Sequence, residues 1–233
     1  MRSVKQNPLR LTFSKISKSV TDWRLVTFRD AGWATRLSLH SQAGAAIYLA
    51  DKSVLEGKRG KAMLVEWISS KIPRVVRSSF EAEINSAQMA ADTQEYVDSM
   101  LPMLLYNMSP REWQRVKDRV PSALVGDNRG LFTTVMFANP VSTKGEKRLT
   151  LEKMTLKEHL TEKNIKYCWT NSGHQLADGF TKLSSAGART DLLISSIEQG
   201  LIQVIYSTES GRKESQHQAN QEQPPLFSLD SAH

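Results

Sequence analysis

Residues 22–34 read Asp22-Trp23-Arg24-Leu25-Val26-Thr27-Phe28-Arg29-Asp30-Ala31-Gly32-Trp33-Ala34. Aromatic and β-branched residues dominate 22–29, which predicts a strand, and Asp30-Ala31-Gly32-Trp33 reads as the break after it. Val26, Phe28 and Asp30 share strand parity, so the Asp30 carboxylate is expected on the apolar side. A carboxylate facing a core costs free energy unless a cation or a metal ion meets it.

Working outward, two more strand-like runs follow, Gly44 to Ala50 and Ala62 to Ser69, separated by the polar turn Glu56-Gly57-Lys58-Arg59-Gly60. Three strands with short connections predict an antiparallel meander. From Ser79 to a stop before Pro110 the pattern becomes helical. Glu81, Asn85, Gln88, Asp92, Glu95 and Ser99 form a polar stripe; Ala87, Ala90, Gln94, Val97 and Leu101 form a mostly apolar one with Glu83 at its head. Ser122 to Val125 reads as a short strand ending at Gly126-Asp127-Asn128, where Asn128 or Asp127 can cap a helix Leu131–Phe137. A helix Thr150–Lys163, a strand Ile165 to Thr170, a turn at Asn171-Ser172-Gly173 and a helix beginning near Gln175 complete the pattern. This is an α/β chain with a mixed sheet flanked by helices.

The composition sets outer bounds. Hydrophobic residues make up 39% of the 233 and charged residues 24%, as in a globular domain. The net charge of +7 favours anionic partners, chiefly nucleic acid or an acidic membrane surface. A single cysteine, Cys168, excludes an intramolecular disulfide and a Cys-rich zinc cluster, and its strand-like setting reads as packing. No apolar run reaches the roughly 20 residues of a membrane span, and the basic start Met-Arg-Ser-Val-Lys-Gln-Asn-Pro has no apolar stretch behind it. The expectation is an intracellular, non-secreted protein, in cytoplasm or nucleus, with no membrane partner.

Four acidic residues occupy similar places: Asp30 and Asp127 at strand ends, Glu83 near the start of the long helix, and Asp178 in Gln175-Leu176-Ala177-Asp178-Gly179-Phe180-Thr181-Lys182. Converging carboxylates repel one another, and divalent cations relieve the repulsion. Oxygen ligands suit a hard ion, and two magnesium ions about 4 Å apart suit in-line phosphodiester hydrolysis.

These residues also carry a family resemblance. Thr27-Phe28-Arg29-Asp30-Ala31-Gly32-Trp33-Ala34 resembles the first motif of the RNase H domain in Copia-type (LTR) retrotransposon Pol polyproteins. Trp67, Ser70-Lys71 and Arg77-Ser78-Ser79-Phe80-Glu81-Ala82-Glu83 resemble the second. Val125-Gly126-Asp127-Asn128 resembles the third, and His174 through Lys182 the fourth. The motifs stand in family order over about residues 20–185. The resemblance implies an RNase H-like fold, a five-stranded mixed sheet with helices on both sides. It implies Asp30, Glu83, Asp127 and Asp178 as catalytic and metal-binding carboxylates, with two Mg2+ (or Mn2+) ions as cofactor. Glu83 is preferred to Glu81 because the related motifs place a small residue one turn on, where Ser86-Ala87 stands. Arg29 and Gly32 replace small polar or small residues common in the family. His174, four residues before Asp178, reads as a loop residue rather than the histidine that many RNases H carry further upstream.

The implied organisation is a connection from a reverse transcriptase region over 1–19, the RNase H-like domain over 20–185, a C-terminal helix and strand over 186–206 (the strand Leu201 to Tyr206), and a disordered tail over 207–233 rich in Gln with Pro224-Pro225. The absence of polymerase, integrase and protease motifs predicts a piece of a polyprotein. The implied activity is cleavage of the RNA strand of an RNA–DNA hybrid, with a reverse transcriptase domain as a further partner. Two other functions fit the same residues: an inactive remnant that retains nucleic-acid binding, and a protein-interaction domain on the same scaffold. Taken singly, Asp30 reads as a turn residue and Asp127 as a helix cap. Trp23, Trp33, Trp67, Trp113 and Trp169 read as core or edge aromatics; Lys58-Arg59-Lys61 and Lys144-Lys147-Arg148 are candidate phosphate contacts.

Overall fold

A computed structural model describes residues 9–34, 39–107, 112, 120–137, 147–181 and 187–206, with the backbone alone at 187–189. The strands are β1 (Trp23–Gly32), β2 (Gln42–Asp51), β3 (Gly60–Lys71), β4 (Ser122–Gly126), β5 (Ile165–Trp169) and β6 (Leu201–Ile202). The helices are α1 (Ser79–Tyr106), α2 (Arg129–Met136), α3 (Lys147–Glu162), α4 (Asp178–Thr181) and α5 (Gly187–Gln199). The sheet runs in the order β5-β4-β1-β2-β3-β6. The expected meander is present as antiparallel β1–β2 and β2–β3 ladders, while β4 lies parallel to β1 and β5 parallel to β4.

Strand alternation sends side chains to two different cores. On one face Val26, Phe28, Tyr48, Val125 and Cys168 pack with Leu193 and Ile197 of α5. On the other, Ala45, Leu124 and Tyr167 pack beneath Ile84, Ala87, Leu131 and Leu156 of α1, α2 and α3. The architecture is a mixed sheet with helices on both faces, as the sequence pattern predicts. Cys168 is fully buried, in keeping with its reading as packing. Among the described residues, no helix is long and apolar enough to cross a membrane.

Several expectations change. The sheet has six strands rather than five, because β6 pairs antiparallel with the start of β3 through Gly60–Ile202 and Lys61–Leu201. β6 is also shorter than expected, although Tyr206 forms a bridge to Thr170. β1 does not break at Asp30: its ladder with β2 continues through Ala31–Ala43 to the Gly32–Gln42 pair. The helix expected near Gln175 begins at Asp178, preceded by a 3-10 turn over Ser172–His174. The polar stripe of α1 is buried at its N-terminal end, Glu81 and Asn85 included, because α3 covers it. Trp33 is 48% exposed and Trp67 56% exposed, so neither is a core residue.

The segment before β1 is tied to the C-terminal helix. The Thr12 N–H donates to the Ile197 carbonyl at 3.2 Å, and Ser14 Oγ donates to the Gly200 carbonyl at 2.9 Å. Trp113, Lys144 and the tail 207–233 lie outside the described residues.

Candidate metal centre

Asp30 sits late in β1, paired with Gly44 of β2. A side chain at Gly44 would place its Cβ 2.7 Å from Thr181 Cγ2 and 3.0 Å from Phe180 Cβ, so the missing Cβ lets α4 close onto the sheet. That approach brings Asp178, the first residue of α4, to Asp30. Asp127 follows the last residue of β4, and β4 lies beside β1. One carboxylate oxygen from each of Asp30, Asp127 and Asp178 lies within 4.8 Å of the other two. Asp30 and Asp178 are buried and Asp127 is half-buried.

Other side chains hold this triangle in place. Thr181 Oγ1 donates to Asp30 Oδ2 in a short contact. Ser86 Oγ donates to the Asp30 carbonyl at 2.5 Å, fixing β1 to α1. The buried Gln175 amide donates to the Arg29 carbonyl at 3.0 Å and accepts from the Ala177 N–H at 3.2 Å. Asn128, not Asp127, is the cap of α2, accepting from the Leu131 N–H at 2.9 Å. Asp127 therefore keeps its carboxylate for the triad, while Trp169 Nε1 donates to its backbone carbonyl at 3.1 Å.

Burial pushes the Asp30 carboxyl up to about 7, and the negative charges of Glu83, Asp178 and Asp127 add to that rise against the Thr181 hydrogen bond. Carboxylates crowded in this way repel one another, and a divalent cation would relieve that repulsion. The all-oxygen donor set fits a hard divalent ion such as Mg2+ or Mn2+.

Of the four carboxylates expected together, the structure brings three. Glu83 heads the apolar stripe of α1 as the sequence indicates, but its Oε2 forms an ion pair with Arg29 Nη1. Arg29 is fully buried, and its Nη2 donates to the Tyr167 hydroxyl. A Cβ at Gly126 would overlap the guanidinium, so this glycine makes the space that Arg29 fills. Burial opposes the charge on Arg29, yet Tyr167, Glu83 and Asp127 together hold its pKa above the ordinary value. Burial raises the Glu83 carboxyl, with Arg29 acting against it.

Glu81 is engaged elsewhere. Its Oε1 pairs with Arg148 of α3, its Oε2 accepts from the Arg77 N–H at 2.7 Å, and its own N–H donates to the Ser78 cap at 3.1 Å. Arg148, a candidate phosphate contact, is thereby committed to Glu81. His174 is exposed on the 3-10 turn and outside the triad. The sequence reading missed Thr181, Gln175 and Tyr167. Tyr167 had a detectable signal in an arginine directly before Asp30, since a buried guanidinium needs acceptors.

No family model matches the chain, and no curated protein matches it. Solved structures do. The RNase H1 isolated from compost by a metagenomic approach is 13% identical with a TM-score of 0.44, over 73% of this chain and 98% of its own. The RNase H1 of Halobacterium salinarum is 12% identical with a TM-score of 0.42, over 68% and 94%. The N-terminal RNase H domain from Mycobacterium tuberculosis is 14% identical with a TM-score of 0.41, over 66% and 92%.

Proposed function

We propose that the chain is a ribonuclease H that hydrolyses the RNA strand of RNA–DNA hybrids with a divalent cation, and that it derives from a Copia-type retrotransposon Pol polyprotein. The observation that carries the activity is the convergence of Asp30, Asp127 and Asp178 on one side of the sheet, with oxygens within 4.8 Å. The ordered motifs that bear these residues support the origin, and a reverse transcriptase domain of the same polyprotein is then a natural partner.

In this reading the three carboxylates would hold Mg2+ or Mn2+, and the bound ion would supply charge neutralisation for the phosphate and lower the pKa of water at the site. The residues do the rest. Thr181 fixes the rotamer of Asp30, Ser86 and Gln175 lock β1 behind it, and the Asn128 cap leaves Asp127 available. Hydrolysis forms a bond between water oxygen and phosphorus and breaks the P–O3′ bond, leaving a 3′-hydroxyl and a 5′-phosphate. Selectivity for the hybrid would come from 2′-hydroxyl contacts and duplex shape, not base sequence. The two-ion arrangement that the resemblance implies needs Glu83 as a ligand, and here its Oε2 is held by Arg29. The same ion pair favours a second reading, a remnant that binds hybrids without cutting them.

The test is cleavage of a labelled RNA–DNA hybrid by the full chain in Mg2+ or Mn2+, beside Asp127→Asn and a plain RNA duplex. Metal-dependent cutting of the hybrid alone, lost in Asp127→Asn, supports the nuclease. Hybrid binding by a folded protein without any cutting supports the remnant.

A further inference from the structure

We infer that Arg29 is a positioning residue that removes Glu83 from the ligand set, so that the centre takes one divalent cation on Asp30, Asp127 and Asp178 rather than two. The inference rests on the reading of that triad as a cation site. Its own observation is the opposite fate of the fourth carboxylate. Glu83 Oε2 is bound to Arg29 Nη1, while one oxygen from each of the other three lies within 4.8 Å of the rest.

Arg29 is not a surface arginine that has drifted inward. It is fully buried, it uses Nη2 on the Tyr167 hydroxyl, and it occupies space that only a glycine at 126 leaves open. A guanidinium stays charged across the working pH range, so the pair cannot be released by deprotonating Arg29. Pulling Glu83 toward an ion would strand a positive charge in the interior, which is far costlier than leaving the pair intact. The same charge acts favourably on Asp127. Arg29 thus supplies from within the chain part of the positive charge that a second ion would bring. Because it is enclosed, it does so without touching substrate.

The experiment is a count of bound Mn2+ on the full chain, by the electron paramagnetic resonance signal of free Mn2+ during titration. It is run on the wild type, Glu83→Gln and Asp127→Asn, each checked for folding by circular dichroism. One ion per chain is expected. Glu83→Gln, whose amide oxygen can still accept from Arg29, should keep that count and an affinity within about threefold, whereas Asp127→Asn should lose roughly tenfold or more. Two ions on the wild type, or a loss of roughly tenfold or more in Glu83→Gln, overturns the one-ion assignment and leaves the cation site standing. No bound Mn2+ on folded wild type overturns the cation site itself, and the assignment with it.

Discussion

Arg29 and Asp30 are neighbours in one strand, both buried, and strand alternation sends their side chains to opposite faces of the sheet. On Arg29's face the charge is answered within the chain, by Glu83 and the Tyr167 hydroxyl, in space left by Gly126. On Asp30's face three carboxylates approach one another, and a hydroxyl from Thr181 is what Asp30 receives. A buried charge with an internal ion pair is a structural device; carboxylates drawn this close to one another make a candidate site for a cation. One dipeptide thus contributes to two adjacent clusters that feel each other's charge, an internal ion pair and a triad that could bind a metal.

The largest expected effect breaks the triad. Asp178→Asn should lower hybrid cleavage roughly a thousandfold, about 4 kcal/mol of transition-state stabilisation, in a single-turnover assay. Next comes the ion pair. Arg29→Met leaves Glu83 buried without its cation and should cost about 3–5 kcal/mol, a fall of roughly 10 °C in Tm by thermal denaturation. Adding Glu83→Met should recover much of that loss, because the penalty comes from stranding one charge.

A smaller effect sharpens the contrast through pH. Asp30's folded-state value of about 7 lies above its ordinary 3.8. Between these values the folded chain keeps a proton that the unfolded chain has lost, so metal-free stability from this group is greatest below about pH 4 and falls as pH rises through 7. Cation binding opposes that loss, so the Mg2+-induced rise in Tm should grow from pH 5 to pH 8. Least of all, Asn128→Ala should cost about 1 kcal/mol as a lost helix cap. Urea denaturation of the wild type and variant would measure that loss.

Much of this arrangement was legible from local pattern. Val26, Phe28 and Asp30 share parity, and that alone turned Asp30 inward; a cap was legible at Asn128 or Asp127, though not which of the two; Glu83 headed the apolar stripe of α1. The Arg29–Glu83 pair was not legible, because it joins positions 54 apart and depends on α1 crossing β1 at one particular register. Nor was the burial of Glu81, which periodicity assigned to a polar face: a helix covered by a sheet on one side and by α3 on the other has little polar face left at that end. The run of β1 beyond Asp30 was hidden for a similar reason, since Ala31-Gly32 reads as a turn until Ala43 and Gly44 are seen to continue its ladder. The mixed sheet flanked by helices followed from the order of the elements, whereas the Arg29–Glu83 contact is one that no local pattern encodes.

The most direct test of the central claim is the melting temperature of the full chain and of Asp30→Asn at pH 8, each with and without Mg2+. Mg2+ should stabilise the wild type, and metal-free Asp30→Asn should melt higher than the metal-free wild type because it removes one of the crowded charges. It should also gain little from Mg2+. A wild type indifferent to Mg2+, together with an Asp30→Asn variant that melts lower, would contradict the account, because Asp30 would then be a satisfied structural carboxylate.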